Sequence, residues 1–151
     1  MLHVSDTYKP LLEEPELYNS RIVDNYIKLI KVRYSYINID ELLKFAGMET
    51  YQVADEGTWF TQTQINNFHK RLRELTGNRD IAREAGRYAA SPDALGAMRR
   101  YVLGLIGPQN AYEQFEKTAA KFTRSSKYKT RRIGKNKIEI RVTPNKGIKE
   151  N

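Results

Sequence analysis

Apolar positions recur at helical spacing over most of the chain and switch to strict alternation near its end. Ile22, Tyr26 and Ile30 stand four apart, with Val23 and Ile27 beside them, which predicts an amphipathic helix from about Ser20 to Arg33. Asn19 or Ser20 can cap its first amides. A short second helix follows the cap residue Asn38, buries Leu42, Leu43 and Ala46, and stops at Gly47. The third helix has the best-marked start. Thr61 and Gln64 make a capping box, Phe60 and Ile65 can close a hydrophobic staple over it, and Gly77 ends it. Its inner stripe is Ile65, Phe68, Leu72 and Leu75.

Asn78 opens a fourth helix to about Ala90. Its small residues Ala82, Ala85, Gly86 and Ala89 are expected to lie inside the packing, with Arg79, Arg83 and Arg87 aligned on another face. Ser91-Pro92 starts a fifth helix, with Leu95, Met98, Val102 and Leu105 as its stripe. After Gly107-Pro108 a sixth carries Ala111, Tyr112, Phe115, Ala119 and Phe122. Then the period changes. Ile138, Ile140 and Val142 alternate with Lys137, Glu139 and Arg141, the pattern of a strand with one buried face. Gly134-Lys135-Asn136 is turn chemistry, and Tyr128 to Ile133 is the expected partner strand. The fold class is therefore α+β: about six packed helices followed by a C-terminal antiparallel β-hairpin. Residues 1–17, broken by Pro10 and Pro15, read as a lead-in segment. One domain is expected over 18–143, with helices over 18–122 and the hairpin over 128–143. Residues 144–151 read as a tail leading to a further C-terminal part.

Length and composition refine this. A chain of 151 residues is sized for one domain with a real core. With no cysteine, disulfides, thiolate metal sites and cysteine nucleophiles are excluded. No apolar run approaches a membrane span, and the first ten residues lack the apolar stretch of a secretory signal, so a cytoplasmic location is expected and no membrane partner. The net charge of +8 is unevenly placed. Residues 1–116 carry 14 Lys/Arg against 16 Asp/Glu, whereas residues 117–151 carry 12 against 2. The plain reading of that basic end is a solvated hairpin face. The sharper one is an acidic or nucleic-acid partner.

Candidate chemistry is sparse. Of two histidines, His69 lies beside the stripe of the third helix. A lone helical histidine can hold haem iron, but no second feature of a haem site accompanies it, and no cofactor is expected. The carboxylates Glu13, Glu14, Glu16, Asp55 and Glu56 sit in polar, turn-like stretches, and no phosphate-cradling glycine motif is present. Glu41 to Ala54 has the outline of a helix-turn-helix, yet the would-be recognition element carries Asp55 and Glu56, a poor match to phosphate. The chain is therefore expected not to be an enzyme. Ten tyrosines and five phenylalanines leave one richer possibility, an apolar pocket. Its expected lining is Arg87, Tyr88, Met98, Tyr101, Tyr112 and Phe115, between the fourth and sixth helices, with Arg87 as polar anchor. The same aromatic stripes also describe an ordinary core.

The stretch from Ala82 to Pro144, AREAGRYAASPDALGAMRRYVLGLIGPQNAYEQFEKTAAKFTRSSKYKTRRIGKNKIEIRVTP, resembles the N-terminal sensory region of bacterial sensor histidine kinases and related signalling proteins. YNSRIVDNYIKLI and WFTQTQINNFHKRLRELTGN resemble it too, so the likeness covers most of the chain. That region is similar in layout to the haem-NO-binding and V4R group of small-molecule-binding domains. The resemblance implies a helical half followed by an antiparallel sheet, an unknown small-molecule ligand and a downstream output domain of a two-component system. Haem-binding members carry an axial histidine and a YxSxR motif; neither occurs here in matching position, and Tyr18-Asn19-Ser20-Arg21 lies too near the start. Two other functions fit the same residues: a homodimerising or protein-interaction module without ligand, and, less well, a nucleic-acid binder acting through Lys117 to Lys149.

Overall fold

A computed structural model describes residues 13–91, 110 and 114–145. Within them the chain runs β1 (Glu16–Asn19), α1 (Ser20–Arg33), α2 (Ile39–Phe45), α3 (Thr50–Ala54), β2 (Trp59–Thr61), α4 (Gln62–Thr76), α5 (Ile81–Ala89), α6 (Phe115–Ala119), β3 (Ser126–Gly134) and β4 (Lys137–Pro144). It is an α+β fold with a C-terminal hairpin. No helix among the described residues is long and apolar enough to cross a membrane.

The helices begin and end where local chemistry dictates. Asn19 accepts from the Arg21 amide at the start of α1, and Asn38 accepts from the Glu41 amide at α2. Thr61 and Gln64 form the reciprocal capping box of α4. Gly47 and Gly77, at φ of 70° and 64°, close α2 and α4 in the left-handed conformation. One core lies beneath α1, α2 and α4. It is built on Val23, Leu29, Ile30, Leu42, Phe68 and Leu72, all fully buried. Phe60 and Ile65 are both in it, as a staple across the α4 cap requires.

α5 packs differently from its predicted arrangement. Its buried side is Ile81, Ala85 and Tyr88, while Ala82 and Gly86 face solvent. Ile81 and Tyr88 supply more apolar area than the alanines and orient the helix. Glu84 secures it, accepting from Arg33 Nη1 at 2.7 Å, Tyr34 Oη at 2.8 Å and Asn78 Nδ2 at 2.8 Å. The Arg33 hydrogen bond chiefly holds the Glu84 carboxyl below its ordinary range, against the opposing effect of burial. The fifth predicted helix lies outside the described residues. The sixth ends as helix at Ala119, and Phe122 falls in the turn beyond it.

Residues 16–17, placed in the lead-in by sequence, are part of a strand. β1 pairs antiparallel with β2, and on its other side Tyr18 bridges to Thr123. The Asn19 amide donates to the Phe122 carbonyl at 2.9 Å, and the Arg124 amide donates to the Leu17 carbonyl at 2.7 Å. The Arg124 guanidinium stacks 3.6 Å above the Trp59 ring. These contacts join the C-terminal hairpin to the helical body. In that hairpin Thr130 pairs with Ile140 and Tyr128 with Val142. The face expected to be buried is largely open: Ile140 is 39% and Val142 54% exposed. α6 reaches only part of it, through Phe115 against Tyr128.

Candidate ligand groove

Three helices leave a groove of about 280 Å³ between them. α1 contributes Asp24, Ile27 and Lys31, α2 contributes Ile39, Asp40 and Leu43, and α3 contributes Thr50, Val53 and Ala54. Its floor is apolar and belongs to the core: Ile27, Leu43 and Val53 are buried. Its rim is polar. Asp24 is paired with Lys28 at 2.8 Å, and Thr50 Oγ1 donates to Asp40 Oδ1 at 3.0 Å. An apolar floor with a few charged tips is the composition of a small-molecule site, and the volume lies just below the usual range for one. The space exists because α3 is only one turn long and presents short side chains, Thr50, Val53 and Ala54, to the α1–α2 crossing.

α3 is tied to the rest of the molecule through the turn that follows it. The Asp55 carboxylate accepts from the Gly57 amide at 2.9 Å and from Thr58 Oγ1 at 3.1 Å. Glu56 pairs with Arg21 at 2.8 Å, and that guanidinium holds its carboxyl below the ordinary range. These two acids therefore build the turn that follows α3. Asn19 and Ser20, both almost fully buried, grip the same turn. Asn19 Nδ2 donates to the Glu56 carbonyl at 2.9 Å, and Ser20 Oγ donates to the Asp55 carbonyl at 2.7 Å. Trp59 comes next, beneath Arg124.

Of the residues expected to line a pocket, Arg87, Tyr88 and Phe115 are among the described residues, and these three do not share a site. Tyr88 is buried in the main core, and Arg87 points from the opposite, exposed side of α5. Phe115 is half-buried and meets Tyr128 edge-on at 5.4 Å, on the hairpin. Met98, Tyr101 and Tyr112 lie outside the described residues. His69 is enclosed by Tyr26 and Phe68, at ring distances of 5.1 and 6.0 Å, and its buried Nε2 has no hydrogen-bond partner among the described residues. Burial, and secondarily Arg73, pushes its pKa below the ordinary 6.5. Among the described residues no group of histidine, aspartate and glutamate is arranged to hold a metal ion.

The α1–α2–α3 groove lies apart from the aromatic-rich later helices on which the sequence pattern places a pocket. The groove is non-local, and the available clue was the lack of bulk in Thr50-Tyr51-Gln52-Val53-Ala54. Comparison with known proteins returns no match: no family model fits the chain, and no curated protein and no solved structure is significantly similar to it.

Proposed function

We propose that the chain is a ligand-sensing input domain of a bacterial signal-transduction protein, with the α1–α2–α3 groove as its ligand seat. The observation that carries this reading is the pairing of an apolar floor with charged tips on three separate elements. A molecule with an apolar body and a cationic or zwitterionic head suits it. Its amine would face Asp24 and Asp40, and an acid group would face Lys31. α3 is one short turn between two loops, so little helix has to move for it to shift. It runs into the turn held by Asn19 and Ser20, and from there to Trp59 and Arg124 at the base of the hairpin. A ligand that favours one position of α3 would shift the populations of that connected structure and so reach an output domain.

The test is a titration followed by backbone amide NMR, with phenethylamine, leucine and phenylalanine as probes. Saturable shifts at Ile27, Leu43 and Val53 are expected for at least one probe, and Ala54→Trp, which fills the groove from its exposed rim, should abolish them. Absence of shifts with all three up to about 10 mM, where even a weak site begins to fill, would sink the reading. So would shifts that survive Ala54→Trp.

A further inference from the structure

We propose that the chain forms a two-fold dimer by pairing β4 with β4 of a second copy, making one four-stranded sheet. The inference is independent of the groove and rests on the geometry of the hairpin. The Asn145 amide donates to the Ser125 carbonyl at 2.9 Å, and the Thr130 amide donates away from β4, to the Glu116 carboxylate. In the register of β3 with β4, this puts Lys127, Lys129 and Arg131 in hydrogen-bonded pairs with β4. Their neighbours turn their backbone groups outward. On β4 those are Ile138, Ile140 and Val142, whose outward N–H and C=O groups have no partner among the described residues. The same three residues carry the apolar side chains, and Ile140 and Val142 are 39% and 54% exposed. The two edges of the hairpin thus differ. β3 is stopped by Glu116 at Thr130, whereas β4 offers an apolar, unpaired edge of the kind that accepts another strand.

The charges on the opposite face identify the occupant. Lys137, Glu139 and Arg141 alternate with the isoleucines and valine. An antiparallel two-fold centred on Ile140 sets Ile140 against Ile140 of the copy and Ile138 against Val142. It also sets Glu139 against Arg141, twice, so that unlike charges stand directly opposite. In this register Ile140 faces its copy as a hydrogen-bonded pair, which its outward backbone groups require. Centring on Glu139 would oppose two carboxylates, and would present backbone groups already used within the hairpin. Centring on Ile138 would oppose Arg141 to Lys135. That register also sets Glu139 against Lys137, but it leaves Val142 opposite Gly134; centring on Val142 sets Ile140 against Pro144, which has no N–H to give the ladder. The Ile140-centred register alone pairs all three apolar residues with one another and unlike charges with one another, and the partner β4 fits best is itself.

Sedimentation equilibrium tests this with the full chain. The wild type should be dimeric. Ile140→Pro removes an N–H that the hairpin itself does not use, and should yield a monomer with unchanged circular dichroism. Glu139→Arg and Arg141→Glu each place like charges opposite one another, and each alone should weaken association about tenfold or more. Mixed in equal amounts, the two variants restore both unlike pairs across the axis and should associate as tightly as the wild type, an outcome that a mere loss of folding cannot produce. A wild type that stays monomeric at about 100 μM, a dimer indifferent to Ile140→Pro, or a mixture no tighter than its components would overturn the proposal.

Discussion

His69→Phe isolates the energetics of a single buried atom. The imidazole lies between Tyr26 and Phe68, and its Nε2 is sealed from solvent without a hydrogen-bond partner among the described residues. An unsatisfied buried polar atom costs roughly 1–3 kcal/mol, and phenylalanine fills nearly the same space without it. At pH about 7.5 the variant should therefore be more stable by about 1–2 kcal/mol, raising Tm by roughly 2–8 °C for a chain of this size. The pH dependence is sharper still. Burial holds the folded-state pKa of His69 below 6.5, so the unfolded chain takes up a proton that the folded chain refuses. The stability of the neutral form is fully present above pH 6.5 and is lost as pH falls from there toward the folded-state pKa. The slope is at most about 1.4 kcal/mol per pH unit. Urea unfolding of both proteins at about pH 7.5, 6.5 and 5.5 measures it. The gap in favour of phenylalanine should widen much more over the lower interval than over the upper one. Parallel profiles, or a less stable variant at every pH, would refute the argument.

Two further substitutions probe the local devices of the fold. Asn19→Ala removes both the α1 cap and the donor to the Glu56 and Thr58 carbonyls, and should cost about 2–3 kcal/mol in urea unfolding. Asn19→Asp keeps the cap acceptor but turns a carboxylate toward those carbonyls, so it should be no better than alanine; a wild-type midpoint for it would show that the donor is irrelevant. Gly77→Ala places a Cβ at φ 64° with no heavy atom within 4 Å, so strain alone acts. The expected loss is about 1–2 kcal/mol, and Gly77→Asn should lose less. Equal stability of the two would contradict a purely conformational cost.

What could be read from sequence was what short-range chemistry determines. α1 and α4 carry long apolar stripes and marked caps, and Asn19, Thr61 and Gly77 act where the pattern places them. The hairpin was visible from the change of period at Lys137. Elements whose partners lie far along the chain were not visible. β1 is four residues long and exists only because β2 and the turn before β3 flank it, so nothing local distinguishes Leu17 and Tyr18 from a lead-in. The face that α5 buries departs from its alanine pattern because alanine spacing is a weak signal beside Ile81 and Tyr88. The alternation in β4 implied a covered face, but periodicity reports which side is apolar and not whether anything lies over it. The groove depends on how α3 crosses α1 and α2, an arrangement that no single helical stripe encodes.

The position of β1 between β2 and residues 122–124 also has a kinetic meaning. Its two edges are completed by segments from far-apart parts of the chain, so its ladder closes only after long loops have been drawn together. The Asn19 and Arg124 amides, which donate in opposite directions across that seam, are protected by the same event. The hairpin can then part from the helical body as one cooperative unit below global unfolding, and those two amides exchange hydrogen together whenever it does.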